Sequence, residues 1–285
     1  HGVFEGDIVD ISRISGIDKI ELGEGKSVKV GALVSIHDFA ENPIIQDQFP
    51  GLSMAAGALA NPQIRRAGTL GGALLQRNRC WYYRHEVIAC YKKGGNTCPM
   101  REGNHQFGVC FDLGPCVSPH PSTLGMALLA YDAEVEIFGK GRRSIVDLYG
   151  TGKNAAADHL LKENEILQAL HIASPLVNEK AAYLRSISRA RAEWPLVEVL
   201  VRGTVGDDSR MRNVRVVMGG VANIPLALTK VDVFLNGQIP SEELFLEAGK
   251  FAAEGAKPLE GTKYKIELVE KTLAATLKQA FLEEE

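Results

Sequence analysis

Ala67-Gly68-Thr69-Leu70-Gly71-Gly72 runs shortly afterwards into Arg79-Cys80-Trp81-Tyr82-Tyr83, and the same stretch goes on to carry Cys90, Cys98, Cys110 and Cys116. The rest of the 285 residues contain no cysteine. A secreted disulfide scaffold spreads an even number of cysteines through a short chain. Five thiols gathered in one segment of a long chain point instead to a metal or iron–sulfur site, or to a local redox pair. Without Cys110 the spacing is C-x9-C-x7-C-x17-C, over Cys80, Cys90, Cys98 and Cys116. Four thiolates suit zinc or a [4Fe–4S] cluster, because both take soft sulfur ligands in a tetrahedral arrangement. Structural zinc sites use tight C-x2–4-C pairs, and none occurs here, so the wide spacing favours the larger cluster. Arg79, Arg84, Lys92 and Lys93 flank these positions and can offset the negative charge of a thiolate-ligated cluster. The plainer alternative is five free thiols. Cys110 reads as a core thiol or one lying behind the ligands.

The glycine-rich lead-in, Ala67 to Gly72, lets a ligand approach the backbone, and successive N–H groups there can form a nest for phosphate, with the Thr69 hydroxyl added. A glycine pair alone is more often a tight turn. The segment matches neither G-x-G-x-x-G nor a P-loop, and its value comes from its place directly before the cysteines. His85, His105 and His120 read as polar surface or loop residues. Trp81-Tyr82-Tyr83 reads as a water shield for a cluster or as core. Arg185, Arg189 and Arg191, near Trp194, read as a solvated face rather than a site for an anionic partner. No Ser/His/Asp set and no carboxylate pair stands out, so a hydrolase is not indicated.

Length and composition frame these motifs. At roughly 150 residues per domain the chain holds about two domains, and 45% hydrophobic with 24% charged residues is the balance of an ordinary globular protein. A formal net charge of −3 leaves no electrostatic footprint for nucleic acid or an anionic membrane. No apolar run approaches the ~18 residues of a membrane span. The first residue is His1 and no targeting segment is visible, so the sequence is read as one that need not start at a natural N-terminus.

Strands are expected at Asp7 to Ile11, Ser27 to Val34, Ala133 to Gly139, Leu196 to Val201 and Val214 to Met218. Helices are expected at Pro50 to Ala60, closed by Asn61-Pro62, and at Leu124 to Leu129. Ile64 to Gly72 is expected to be turn-rich, and the cysteine segment a long ordered loop. Ser241 is a candidate N-cap with Glu242 and Glu243 in the first turn. Ile266, Val269, Leu273, Leu277 and Ala280 repeat at 3.6 residues and mark a final helix. The pattern pauses at Ser174-Pro175, which sets the expected domains at 1–174 and 175–285, with the cysteine loop at 77–120.

Asp10-Ile11-Ser12, Gly31-Ala32, Thr69-Leu70-Gly71-Gly72, Pro121-Ser122-Thr123-Leu124, Met218-Gly219-Gly220-Val221-Ala222 and Lys263-Tyr264-Lys265 together resemble the flavin-binding medium subunit of the xanthine dehydrogenase and molybdenum hydroxylase family. The likeness covers essentially the whole chain. Arg79-Cys80-Trp81-Tyr82-Tyr83 and Cys90 through Cys98 resemble the branch with an inserted [4Fe–4S] loop, found in periplasmic aldehyde oxidoreductases and 4-hydroxybenzoyl-CoA reductases. The resemblance implies an α+β fold, a two-lobed FAD-binding domain followed by a smaller α/β C-terminal domain. It implies FAD and one [4Fe–4S] cluster as cofactors, with Leu59, Thr69, Gly71, Gly72 and Thr123 at the flavin and Cys80, Cys90, Cys98 and Cys116 at the cluster. It also implies a small subunit with two [2Fe–2S] clusters and a large molybdopterin subunit where substrate is oxidised, so that this chain relays electrons to an external acceptor. Either a cytoplasmic or a periplasmic setting is compatible with it.

Three features depart from the family. The Ala-Gly-Gly-Thr type loop usual near its N-terminus does not precede Asp10, Ala73 stands where Asn is common, and Thr123 stands where a flavin-contacting Asp is frequent. These departures favour, as a second reading, a flavin-free assembly or relay subunit that keeps only the cluster. A zinc-stabilised interaction module is the third.

Overall fold

Two antiparallel sheets organise the computed structural model, which describes residues 8–190 and 192–283. The first sheet contains β1 (Ile20–Leu22), β2 (Val28–Gly31), β3 (Glu134–Ile137), β4 (Gly141–Ser144) and β5 (Leu167–Ile172), in the order β1-β2-β5-β3-β4. The second contains β6 (Lys180–Ser186), β7 (Val197–Val205), β8 (Met211–Gly219) and β9 (Leu226–Ala227), in sequence order. Ser174-Pro175 lies between the two sheets. The α+β architecture expected from the sequence is the one observed.

Local sequence accounts for most elements. In β3 the alternation puts Val135 and Ile137 inside while Glu134 and Glu136 lie half-buried on the other face. The helix Pro50–Gly57 starts on a proline, whose missing N–H is not needed at that position. It stops before Asn61-Pro62, and that pair opens another helix, Pro62–Ala67, because the Asn61 side chain accepts from the Ile64 N–H at 2.9 Å. Thr69 does the same for Leu70–Leu74, accepting from the Gly72 N–H at 3.2 Å. The turn-rich segment expected from Ile64 to Gly72 is therefore corrected to the end of one short helix and the start of the next. The helix expected at Leu124 to Leu129 spans Thr123–Ala130, with Ser122 as its cap.

Two further expectations need correction. Of the strand expected at Asp7 to Ile11, Asp7 lies outside the described residues, and residues 8–11 form no strand. The Ser12 N–H instead bonds the Asp10 carboxylate at 2.9 Å, which bends the chain locally. The cysteine segment, expected as a long ordered loop, also carries short helical elements. It contains three single helical turns, Trp81–Arg84, Tyr91–Lys93 and Pro99–Glu102.

The second sheet joins the halves of the chain. Val199 and Val201 point into a core made with the helices Glu242–Ala253 and Tyr264–Phe281, whereas Leu200, with Tyr183 and Val217, points into the core of the first half. Successive strand residues face opposite sides, so one strand serves both cores and reads as a continuous apolar run. Ser241 caps its helix through the Leu244 N–H at 3.1 Å, and Val269, Leu273, Leu277 and Ala280 of the final helix are buried. No helix among the described residues is long and apolar enough to cross a membrane.

Candidate functional site

The single turns in residues 80–102 exist to turn thiols inward. Cys80, Cys90, Cys98 and Cys116 line one narrow cavity of about 20 Å³, together with Tyr82, Tyr83, Tyr91, Lys92, Pro99 and Met100. Chain separation gave no hint of this convergence beyond their clustering. Backbone N–H groups of Tyr82 and Tyr83 reach the Cys80 sulfur, those of Met100, Arg101 and Val117 reach Cys98, and that of Ser118 reaches Cys116. The Cys116 thiol donates to the Cys98 sulfur, which holds Cys98 down to about 6, with the amides assisting and burial opposing. The same bond and burial push Cys116 up, while the Lys92 charge pulls it down. Burial also raises Cys80. Cys110 stands apart, wholly buried in the second core and pushed up to about 11 by burial.

No three His, Cys, Asp or Glu side chains among the described residues gather closely enough to hold one metal ion. A single zinc needs four sulfurs within ~2.3 Å of one point, whereas in a cubane each thiolate binds a different iron and the sulfurs stand further apart. The four thiols line one cavity, and backbone N–H groups reach three of them, Cys80, Cys98 and Cys116.

Buried polar contacts fix the segment. Asn78 is 3% exposed. Its Oδ1 accepts from the Cys80 N–H and the Ser118 hydroxyl, both at 2.7 Å, while its Nδ2 donates to the Pro119 carbonyl at 3.0 Å. Lys92 meets Asp158 at 2.7 Å, and Arg77 meets the other carboxylate oxygen at 2.8 Å. Arg101 grips Asp112 through two bonds of 2.8 Å and also the carbonyls of Gly114 and Pro115. The N–H groups of Cys110 and Phe111 bond the Val221 carbonyl, tying the segment to the second half of the chain.

Next to the thiols lies a cavity of about 530 Å³, within the usual range for small-molecule sites. Cys80 and Met100 belong to both walls. The aromatic side is Trp81, Phe107 and Trp194, with the Arg79 guanidinium 5.3 Å from the Trp194 ring. The polar side is His120, Glu198 and Lys265. His120, expected as a polar surface or loop residue, lies in a loop but is buried, and burial is the chief cause that holds it down to about 4. Arg189, expected on a solvated face, is exposed and also lines the cavity, and Arg191 lies outside the described residues. Glu198 was not singled out from sequence, and Lys265 entered only through the Lys263-Tyr264-Lys265 resemblance, with no site role. The available signal was a lone carboxylate inside the apolar run of β7.

The flavin positions are distributed differently. Leu59 packs against the first core, and its carbonyl accepts from Arg65 at 2.9 Å. The N–H groups of Leu70 and Gly71 bond the carbonyls of Val34 and Ala32, and that of Gly72 bonds Thr69. The expected phosphate nest therefore has its amides already engaged. What the segment offers is close approach: a Cβ on Gly72 would meet only the Thr69 hydroxyl. Thr123 is buried and reaches the large cavity indirectly, donating to Glu198 at 2.9 Å.

Residues 3–175 match the family described as the FAD binding domain in molybdopterin dehydrogenase, and residues 182–283 match the CO dehydrogenase flavoprotein C-terminal domain. The chain belongs to this family. It is 30% identical over 282 residues to the aldehyde oxidoreductase FAD-binding subunit PaoB of Escherichia coli K12, covering 96% of this chain and 84% of PaoB. It is 40% identical over 65 residues to the carbon monoxide dehydrogenase medium chain of Hydrogenophaga pseudoflava, which is 23% of this chain and 22% of that one. Among solved structures, the fold is shared with a carbon monoxide dehydrogenase from Hydrogenophaga pseudoflava, with a TM-score of 0.69 and 22% identity over 95% of this chain and 80% of the other. Quinoline 2-oxidoreductase from Pseudomonas putida 86 gives the same TM-score at 18% identity, over 93% of this chain and 78% of the other. Membership makes this an FAD-binding subunit of the molybdenum hydroxylase type, on a fold common to these oxidoreductases.

Proposed function

We propose that this chain is an electron-transfer subunit that carries FAD and a [4Fe–4S] cluster, the cluster held by Cys80, Cys90, Cys98 and Cys116. In this reading residues 1–174 form the flavin-binding unit and residues 175–285 the C-terminal one. A molybdopterin large subunit and a small subunit with [2Fe–2S] clusters are its partners, and substrate chemistry takes place on the large subunit. The single observation that supports it most is the convergence of the four thiols, three of them met by amide donors, on one cavity that shares Cys80 and Met100 with the larger one. When bound, FAD supplies exchange between one-electron clusters and an external acceptor. The chain's own contribution is to place the two redox sites wall to wall, to shelter them with Trp81, Tyr82 and Tyr83, and to set their electrostatics through Lys92 and the cavity's polar side. Aldehyde oxidation is the nearest substrate class, by likeness to PaoB, whose name carries that activity.

The test is a set of single substitutions in anaerobically purified protein. Changing Cys80, Cys90, Cys98 or Cys116 to Ser should each remove the cluster, whereas Cys110→Ser should keep it. Full iron retained in Cys116→Ser protein would overturn the ligand assignment. Iron present without flavin in the unsubstituted protein would favour the flavin-free relay, and zinc without iron would favour the interaction module.

A further inference from the structure

Glu198 is a carboxyl group in an unusual position. It is 2% exposed, lines the large cavity, and has no cation within ion-pair distance among the described residues. Its two hydrogen bonds, from Thr123 at 2.9 Å and Tyr183 at 2.6 Å, both fall on Oε2. The other oxygen, Oε1, lies against Gly219, where a Cβ would come within 2.2 Å of it. Glycine at 219 is what admits the carboxyl group at all. The next residue, Gly220, accepts a 2.7 Å bond from the Lys265 ammonium, itself 1% exposed and also on the cavity wall. Lys265 likewise has no carboxylate partner among the described residues, and an ammonium has three donors to satisfy.

The adjacent residues Gly219 and Gly220 thus touch an acceptor and a cationic donor that both line the cavity. A buried carboxylate and a buried ammonium that do not pair with each other are costly unless a third party satisfies them. The complementary ligand carries an N–H next to a C=O in one rigid plane, which is an imide edge. Flat aromatic surface for the remainder of such a ring is supplied by Trp81, Phe107 and Trp194.

Resting on the reading of this chain as an FAD subunit, we propose that Glu198 and Lys265 clamp the imide edge of the flavin ring, Glu198 Oε1 accepting from the ring N–H and Lys265 donating to the neighbouring carbonyl. Thr123 and Tyr183 are positioning residues that hold Glu198 for this contact. Burial raises Glu198 and lowers Lys265 to about 8, and both shifts are those expected of groups whose partner arrives with the ligand.

The test compares FAD with FAD methylated at the imide nitrogen, titrated by fluorescence into apo-protein prepared from the purified complex. The methyl group removes only the N–H donor and adds bulk at that point. Wild-type protein should bind FAD about 10- to 100-fold more tightly than the methylated form, the range for a hydrogen bond to a charged group. Glu198→Gln should abolish that preference and weaken FAD. Its thermal unfolding should be unchanged, since the amide oxygen still accepts from Thr123 and Tyr183. Lys265→Met should weaken both flavins together and leave their ratio intact. Equal affinity of wild-type protein for the two flavins would overturn the clamp alone, as would a preference that survives in Glu198→Gln. Failure of FAD itself to bind would overturn the functional reading and the clamp with it.

Discussion

Asp158→Asn tests whether a buried ion pair fastens the cysteine segment. The Lys92 and Asp158 side chains are 6% and 3% exposed and lie 2.7 Å apart, so neither charge has water to fall back on. Arg77 touches the same carboxylate, but its side chain is 54% exposed and can turn to solvent. Asparagine keeps an oxygen for the Asn78 N–H and for Arg77. It leaves the Lys92 ammonium with the Ala157 carbonyl at 2.9 Å as its protein partner. Removing one member of a buried pair costs about 3–5 kcal/mol, against about 0–1 kcal/mol for an exposed pair. Asp158→Asn should therefore lower the unfolding free energy by about 3–5 kcal/mol in a urea titration, and expose residues 80–116 to protease first. The double variant Lys92→Met with Asp158→Asn removes the orphaned charge and should recover most of that loss. A loss below about 1 kcal/mol in Asp158→Asn, or a double variant no more stable than the single one, would refute the argument.

Other outcomes follow from the same contacts. His120 is buried and neutral with its folded value near 4, below the ordinary 6.5, so the unfolded chain takes up the proton first as pH falls. Stability should therefore drop between about pH 6.5 and pH 4, by up to about 3 kcal/mol from this residue, and His120→Gln should flatten that part of the denaturation profile. Gly219→Ala should cost about 1–3 kcal/mol, because its methyl group would come within 2.2 Å of Glu198 Oε1 and force that carboxyl group to shift. Calorimetry should show this loss, with flavin affinity falling alongside it. Glu198→Ala in the Gly219→Ala background should restore much of the stability and none of the affinity.

What the sequence made legible were features set by near neighbours. Ser241, Pro50 and the 3.6-residue repeat from Ile266 to Ala280 are local signals, and each marks an element that is present. Asn61-Pro62 also acts locally, but in two directions: it excludes continuation of one helix and starts the next, and only its first effect was read. Thr69 was read for its hydroxyl and its glycines, although its strongest local preference is to cap a helix. The strands β5 and β6 on either side of Ser174-Pro175 went unread because their alternation is weak. Leu167–Ile172 is stabilised by pairing with β2 and β3, which are distant in sequence.

The site divides in the same way. Clustering identified the cysteines, but their convergence depends on Asn78, Asp158 and Arg101, which have partners 11 to 81 residues away. Glu198 and Lys265 sit in apolar patterns where a charge reads as the solvent-facing member. Only the three-dimensional neighbours, Thr123, Tyr183 and the Gly219-Gly220 pair, show that they face a cavity.

The most direct measurement of the central claim is the content of iron, acid-labile sulfide, zinc and flavin in anaerobically purified protein. The account predicts about four irons and four sulfides per chain, the content of one [4Fe–4S] cluster, together with one FAD. Zinc in place of iron, or a chain that holds neither iron nor flavin, would contradict it.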